Sequence, residues 1–262
     1  MTVASILPHE RISAAIRRAC GRNPALVAFL TAGFPRRELF RTQLSAVAGV
    51  ADVVEIGVPF TDPMADGLTI QRSSREALAQ GVTLRWILDE LAAMQAVNAP
   101  LLLMSYLNPL LAFGFAELAM AAEHARVAGF IVPDLPFDEG GELQRALEAR
   151  GIALVQMATP VTTPERLAKV CGASRGFVYA VTMTGTTGKN VAVPDNVIAY
   201  LDRVRAVSPV PVCAGFGIRS REQVARLAGH VDGVVVGSAL VEVLERGEDP
   251  AAWLRTLRPG AG

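Results

Sequence analysis

The chain has 262 residues, of which 51% are hydrophobic, and its 25 lysines and arginines balance its 25 aspartates and glutamates. A chain without net charge lacks the long-range positive field that attracts nucleic acid or anionic lipid, so neither a nucleic-acid nor a membrane partner is expected. The length suits one or two domains, or a single α/β barrel, and is ample for a large core.

The N-terminal sequence and the cysteines predict the cellular compartment of the protein. Residues 1–19 have the pattern of a capped amphipathic helix and lack the features of a signal peptide, and no stretch reaches the roughly 20 apolar residues of a membrane span. Cys20, Cys171 and Cys213 form no C-x-x-C motif, so they predict neither a disulfide framework nor a zinc site. We expect a cytoplasmic protein.

Apolar runs recur at fairly even spacing along the chain and predict eight β-strands, preceded by an extra helix at about residues 9–21. Stretches with the 3.6-residue helical period separate many of these runs. The predicted strands lie within residues 25–33, 51–57, 100–106, 129–135, 152–158, 176–182, 211–215 and 232–238. The helical stretches include 38–50, 115–128, 139–151, 163–172, 194–207 and 220–229.

The character of the apolar runs predicts the fold class. Continuous hydrophobicity is typical of strands buried on both faces, as in a parallel sheet wrapped by helices. Eight strand-helix units without a linker favour a closed (β/α)₈ barrel, a TIM barrel, in which residues 1–262 form a single domain. An open doubly wound sheet is the alternative, but the G-x-G-x-x-G motif that usually follows its first strand is missing here.

Two carboxylates fall where a barrel of this kind has its active site, at the C-terminal ends of the strands. Glu55 lies at the end of the second predicted strand, and Asp66 lies on the loop that follows. A buried carboxylate is costly unless it is hydrogen bonded or protonated, so Glu55 is a candidate general acid/base. Asp66 is a candidate acceptor for a ligand N–H, although Asp66 and Asp62 would also suit a helix cap or a turn.

Glycine-rich turns follow the last two predicted strands, in the segments CAGFGI (213–218) and VVGSAL (235–240). Such turns let backbone N–H groups approach an anion, and barrels frequently bind phosphate at this position. The two segments therefore predict a phosphate cup, although tight turns alone would also explain the glycines. The loop TGTTGKN (184–190) would add Gly188 to the cup.

The positions of the lysines and histidines exclude two kinds of reaction mechanism. Neither of the two lysines, Lys169 and Lys189, ends a strand where a Schiff base would form, and the three scattered histidines make no metal triad. We therefore expect proton transfer from carboxylates to a substrate that serves as its own electron sink, without a metal or a cofactor in this chain.

Six segments together resemble the tryptophan synthase alpha subunits, in the same order and over nearly the whole chain. The resemblance implies a lyase of tryptophan biosynthesis that cleaves indole-3-glycerol phosphate to indole and glyceraldehyde 3-phosphate by a retro-aldol reaction. It also implies an α2β2 heterotetramer with a beta subunit that carries pyridoxal phosphate and consumes the indole. The segments are LTAGFP, VEIGVPFTDPMADG, IVPDLP, GFVYAVTMTGTTG, VCAGFGI and DGVVVGSALVE.

The resemblance also implies roles for individual residues. Glu55 would protonate the indole carbon that bears the side chain, and Asp66 would hold the indole N–H. The phosphate ligands would be Gly188, Gly215, Phe216, Gly217, Gly237 and Ser238. The contacts to the indole ring would be Phe29, Tyr106, Ile131 and Tyr179, each of which also suits an ordinary core position.

A partner surface is predicted next to the two carboxylates. Residues 59–67, here called the docking loop, carry Met64 beside Pro63 and Asp62, and a surface methionine is an adaptable apolar contact. We expect this loop, with Asn108 and Pro109, to contact the beta subunit.

Two other functions suit parts of the same pattern. A phosphosugar isomerase of the same barrel type would also combine a phosphate cup with two carboxylates, but the segment TDPMADG argues against it. A catalytically silent regulatory subunit would keep ligand binding alone, and the intact pair of Glu55 and Asp66 argues against that.

Overall fold

The protein is described by a computed structural model that covers residues 6–20, 23–182, 194–215 and 217–258. Eight parallel strands follow one another in sequence order around a closed barrel, and β8 pairs with β1. The predicted TIM barrel and its N-terminal helix are therefore confirmed. The strands are β1 (Ala25–Thr31), β2 (Val53–Gly57), β3 (Leu101–Met104), β4 (Val127–Ile131), β5 (Ala153–Ala158), β6 (Val178–Val181), β7 (Val212–Gly215) and β8 (Gly233–Val236).

Helices surround the barrel, and the β2–β3 and β3–β4 connections each contain two of them. The helices are α1 (Pro8–Cys20), α2 (Phe40–Ala48), α3 (Leu68–Ala79), α4 (Leu84–Ala93), α5 (Leu107–Phe113), α6 (Phe115–His124), α7 (Gly141–Glu148), α8 (Pro164–Ala173), α9 (Asp195–Val207), α10 (Arg221–Leu227), α11 (Ser238–Glu245) and α12 (Pro250–Thr256). That residues 1–262 form one domain stays a prediction.

Two large hydrophobic cores share the strands, and a small third cluster contains Phe29, Phe34 and Val241. The larger core lies between strands and helices and includes Val54 and Ile56 of β2. The smaller core fills the barrel interior and includes Val53, with Ile12 and Ile16 of α1 packed against it. Because side chains alternate along a strand, Glu55 shares the inward direction of Val53, and the strand itself aims its carboxyl group into the barrel.

Within the described ranges, no helix combines the length and the apolar character needed to cross a membrane.

Candidate active site

A cavity of about 440 Å³ opens at the C-terminal end of the barrel and gathers most of the predicted site residues. Its walls come from the ends of six strands and from the segment that leads into α3. The predicted residues that line it are Phe29, Glu55, Asp66, Tyr179, Gly215, Gly217, Gly237 and Ser238. The two carboxylates and the predicted phosphate cup therefore face one shared space.

Glu55 is the most deeply buried charged group of this cavity, with 1% of its surface exposed. It lies in β2 opposite Phe29 of β1 and Leu102 of β3. Its Oε2 accepts no hydrogen bond from any described residue. Burial, with a smaller contribution from the charge of Asp66, raises the pKa of Glu55 to about 8. The carboxyl group therefore holds a proton at neutral pH and is able to donate it.

Asp66 lies in the docking loop, which its backbone helps to shape. Its N–H donates to the carbonyl of Pro63 at 3.1 Å, and its own carbonyl accepts from Gln71 Nε2 at 2.9 Å. Burial raises the pKa of Asp66 to about 6, against the opposing effect of a hydrogen bond from Tyr106. At neutral pH Asp66 is therefore mostly ionised while Glu55 is mostly protonated.

Tyr106 contacts the docking loop and does not belong to the cavity wall. Its hydroxyl donates to Asp66 Oδ2 at 3.1 Å and accepts from the backbone N–H of Ala65 at 2.9 Å. Its ring stacks on Phe60 with the centroids 5.1 Å apart. Tyr106 is thus placed to orient Asp66. Ile131, another predicted ring contact, is fully buried in the barrel interior.

Two aromatic side chains form part of the cavity wall, Phe29 of β1 and Tyr179 of β6. The ring of Tyr179 packs so closely on β7 that a Cβ on Gly215 would come within 2.6 Å of its hydroxyl oxygen. Burial, and then the nearby Glu55, raise the pKa of Tyr179 well above its usual range, so the phenol stays neutral. These two rings give the cavity flat apolar walls close to the carboxylates.

The structure describes four of the six residues predicted for the phosphate cup, namely Gly215, Gly217, Gly237 and Ser238. Gly217 has a φ of 62°, which favours glycine. Gly237 precedes α11, and Ser238 is the first residue of that helix. The first N–H groups of a helix have no partner within it, and the helix dipole favours an anion there. Gly188 and Phe216, the other two predicted ligands, lie outside the described residues.

The structure adds residues to the cavity wall that the sequence analysis did not single out, among them Met104, Thr69, Arg219 and Glu242. Arg219 follows Gly217 by two residues, and Glu242 lies four residues beyond Ser238 on α11. Proximity to the predicted glycine turns was the only signal that could have identified the last two.

The predicted partner surface is exposed on the same side of the barrel. Met64 has 92% of its surface exposed. Asp62 is also exposed, and Pro63 is half-buried. Asn108 and Pro109 belong to the first turn of α5, where Asn108 is exposed. Their contact with another protein stays a prediction.

In the described part of the chain, no three histidine, cysteine, aspartate or glutamate side chains are grouped so that they could bind a metal ion.

Both the sequence and the fold match known proteins. The family model of the tryptophan synthase alpha chain matches residues 17–257. The alpha chain of Desulfovibrio desulfuricans tryptophan synthase is 46% identical over 252 residues, which are 95% of this chain and 98% of the relative. That of Nitratidesulfovibrio vulgaris is 45% identical over 240 residues, with 91% and 93% covered. The solved tryptophan synthase of Mycobacterium tuberculosis superposes with a TM-score of 0.87 at 36% identity, covering 94% of this chain and 96% of the matched chain.

Proposed function

The chain belongs to the tryptophan synthase alpha chain family, and on this basis we propose that its cavity cleaves indole-3-glycerol phosphate to indole and glyceraldehyde 3-phosphate. The family match confirms the resemblance of the six sequence segments. A carbon–carbon lyase of tryptophan biosynthesis is the activity of this family.

The strongest support is the placement of two carboxyl groups in one cavity with different surroundings, since Glu55 is buried and its Oε2 has no hydrogen-bond partner among the described residues, whereas Asp66 accepts a hydrogen bond from Tyr106. Glu55 has a pKa of about 8 because it is buried, and Asp66 has a pKa of about 6. A retro-aldol cleavage of an indole needs an acid at the ring carbon and a negative charge at the ring nitrogen. The pair supplies both from side chains alone.

The proposed reaction begins with transfer of the Glu55 proton to the indole carbon that bears the glycerol chain. Positive charge then develops at the ring nitrogen, and Asp66 stabilises it by accepting a hydrogen bond from the N–H. The adjacent hydroxyl loses its proton and becomes the aldehyde oxygen, while the electrons of the breaking carbon–carbon bond return to the ring as indole. Glu55, now a carboxylate, takes up the hydroxyl proton and returns to its starting state.

Substrate orientation would follow from the distribution of apolar and polar groups in the cavity. Phe29 and Tyr179 offer flat apolar walls to the indole ring. Gly217, Gly237 and Ser238 offer backbone donors and a helix N-terminus to the phosphate. In this orientation the bond to be broken lies between the ring and the phosphate. No cofactor takes part in these steps, and pyridoxal phosphate is assigned to the beta subunit alone.

A turnover assay tests the proposal. The purified chain is incubated with indole-3-glycerol phosphate, and indole and glyceraldehyde 3-phosphate are measured with and without a beta subunit from the same source. Equal amounts of the two products support the lyase. Failure to form indole in both conditions would contradict it, and would leave the isomerase and the silent subunit to be separated by assays for phosphosugar turnover and for ligand binding.

The proposed partner is a beta subunit, in an α2β2 complex in the cytoplasm. Support comes from the family and from the exposure of Met64 and Leu68, at 92% and 81%, around the loop that carries Asp66. Docking there would order Asp66 and raise kcat. Met64→Asp tests this by ultracentrifugation and by indole production. If the beta subunit activates the variant as well as the wild type, the contact does not run through this loop.

A further inference from the structure

An ion pair lies in the cavity wall beside the phosphate cup, and the proposed reaction does not use it. Arg219 and Glu242 line the same cavity as Gly217, Gly237 and Ser238. The guanidinium donates from Nη1 to Oε2 and from Nη2 to Oε1, both at 2.8 Å. Bidentate pairs of this kind are the strong and geometrically defined ones. The pair therefore is a fixed part of the wall.

The ion pair of Arg219 and Glu242 lies between the phosphate cup and the segment that follows Asp66. Glu242 lies one helical turn beyond Ser238, and helical side chains lean toward the N-terminus, so its carboxylate lies over the first turn of α11. Thr69, in the first turn of α3, donates to Oε1 of Glu242 at 3.4 Å. Arg219 lies two residues after Gly217, in the loop that precedes α10.

The carboxylate of Glu242 creates an electrostatic problem for an anion site. The hydrogen bond from Arg219 lowers the pKa of Glu242 below its usual value, so the group is ionised at neutral pH. A phosphate monoester carries a charge of about −1.5 to −2 at pH 7. Two anions that face one cavity repel each other, and at an effective dielectric constant of about 20 this repulsion weakens the binding of the phosphate. A Glu242 carboxylate without its arginine partner would therefore lower the affinity of the cup for phosphate.

We infer that Arg219 determines the affinity of this cavity for the phosphate group of its substrate, because it neutralises Glu242 and offers further donors to the phosphate. The inference rests on the proposed function. A guanidinium has five N–H groups, and the carboxylate of Glu242 accepts two of them. This ion pair does not use the other three N–H groups. Glu242 holds the guanidinium at the wall and limits its net charge.

Four proteins separate this role from a purely structural one: the wild type, Arg219→Gln, Glu242→Gln and the double variant. Calorimetry measures their affinity for glyceraldehyde 3-phosphate, with indole as the uncharged comparison ligand. We expect Arg219→Gln to weaken phosphate-ester binding by about tenfold or more, and Glu242→Gln to leave it equal or tighter. The double variant should return to within about threefold of wild type, since the backbone donors remain. Indole affinity should not change.

Turnover should follow binding. In Arg219→Gln, KM for indole-3-glycerol phosphate rises by about the same tenfold while kcat stays within about twofold, because the phosphate contact is uniform along the reaction. The matched control is Arg72→Gln. Arg72 of α3 forms a second bidentate ion pair on α11, with Glu245 at 2.6 Å and 3.0 Å, and both residues lie outside the cavity. This control should bind the phosphate ester as the wild type does.

Either of two results would overturn the inference. One is equal weakening in Arg219→Gln and Glu242→Gln, which would mark the pair as a structural clamp. The other is a loss in Arg72→Gln as large as that in Arg219→Gln, which would assign the effect to helix packing. If the wild type forms indole and either result is found, the inference fails and the proposed function stands. Absence of indole from the wild type counts against the function itself.

Discussion

The carboxylates at the two ends of the barrel differ in the hydrogen bonds that they accept. At the N-terminal end, Asp52 precedes β2 and accepts hydrogen bonds from the backbone N–H of Leu26 at 2.8 Å and from Arg258 at 3.1 Å. Asp232 precedes β8 and accepts from the N–H of Val212 at 2.8 Å. Each of these carboxylates joins neighbouring strands, and each is paired with an arginine, Asp52 with Arg258 and Asp232 with Arg205.

At the C-terminal end the carboxylates lack such support. Glu55, the third residue of β2, lies only three residues beyond Asp52, yet among the described residues its Oε2 has no hydrogen-bond partner and no cation shifts its pKa. The carboxylate of Asp66 accepts one hydrogen bond from the described part of the chain, donated by Tyr106. A carboxylate that accepts hydrogen bonds stabilises the barrel in its ionised form. A carboxyl group that is buried without such donors has a raised pKa and is able to donate or accept a proton near neutral pH.

The largest expected effect comes from replacing the carboxyl group of Glu55 by the isosteric amide, in comparison with the same replacement at Asp52, which precedes β2. Glu55→Gln removes the proton that general acid catalysis requires, so we expect kcat for indole formation to fall by about 10²–10⁴-fold. Asp52→Asn is the matched control, with kcat within about twofold of wild type and a loss of roughly 1–2 kcal/mol in the free energy of unfolding. Steady-state assays and urea unfolding measure both. More than a tenth of the activity in Glu55→Gln would contradict its assigned role.

Asp66→Asn should have the next largest effect. The charge that Asp66 offsets is greatest in the transition state, so we expect kcat to fall about 10- to 100-fold while the affinity for substrate changes little. Binding is measured by calorimetry in Glu55→Gln/Asp66→Asn, where turnover is blocked. Equal losses in binding and in kcat would instead show that Asp66 closes the loop over the substrate.

The dependence of stability on pH should differ between wild type and Glu55→Gln. Burial raises the pKa of Glu55 from 4.5 to about 8, so folding takes up a proton between these values and stability falls as pH rises through that window. The decrease is at most about 1.4 kcal/mol per pH unit. The free energy of unfolding in urea, measured from pH 5 to 8, should therefore fall more steeply in the wild type. Parallel curves would mean that Glu55 titrates normally in the folded protein.

A smaller effect is expected from Tyr106→Phe. The lost hydroxyl removes the hydrogen bond that lowers the pKa of Asp66, so this pKa should rise. The acid limb of the kcat/KM profile should then move to higher pH, with a loss of about tenfold at pH 6 and less at pH 8. An activity loss that is the same at every pH would assign Tyr106 a packing role only.

The sequence predicted the barrel and the catalytic pair for different reasons. Continuous apolar runs have few explanations other than buried parallel strands, and a carboxylate that ends such a run has few structural uses. The hydrogen bond that orients Asp66 comes from Tyr106, 40 residues away, and could not be predicted from local pattern. The same holds for the pair of Arg219 and Glu242, which resembles any surface ion pair until the closed barrel brings two βα units together.

Glu55 is expected to keep its proton at neutral pH because burial raises its pKa, and this is the property that sets it apart from the paired carboxylates at the other end of the barrel. Infrared difference spectra between the wild type and Glu55→Gln, recorded from pH 4 to 9, isolate the carboxyl stretch of this one residue. We expect a protonated carboxyl band that persists through pH 7 and disappears around pH 8. A band that is lost near pH 4.5, the ordinary value for a glutamate, would contradict it.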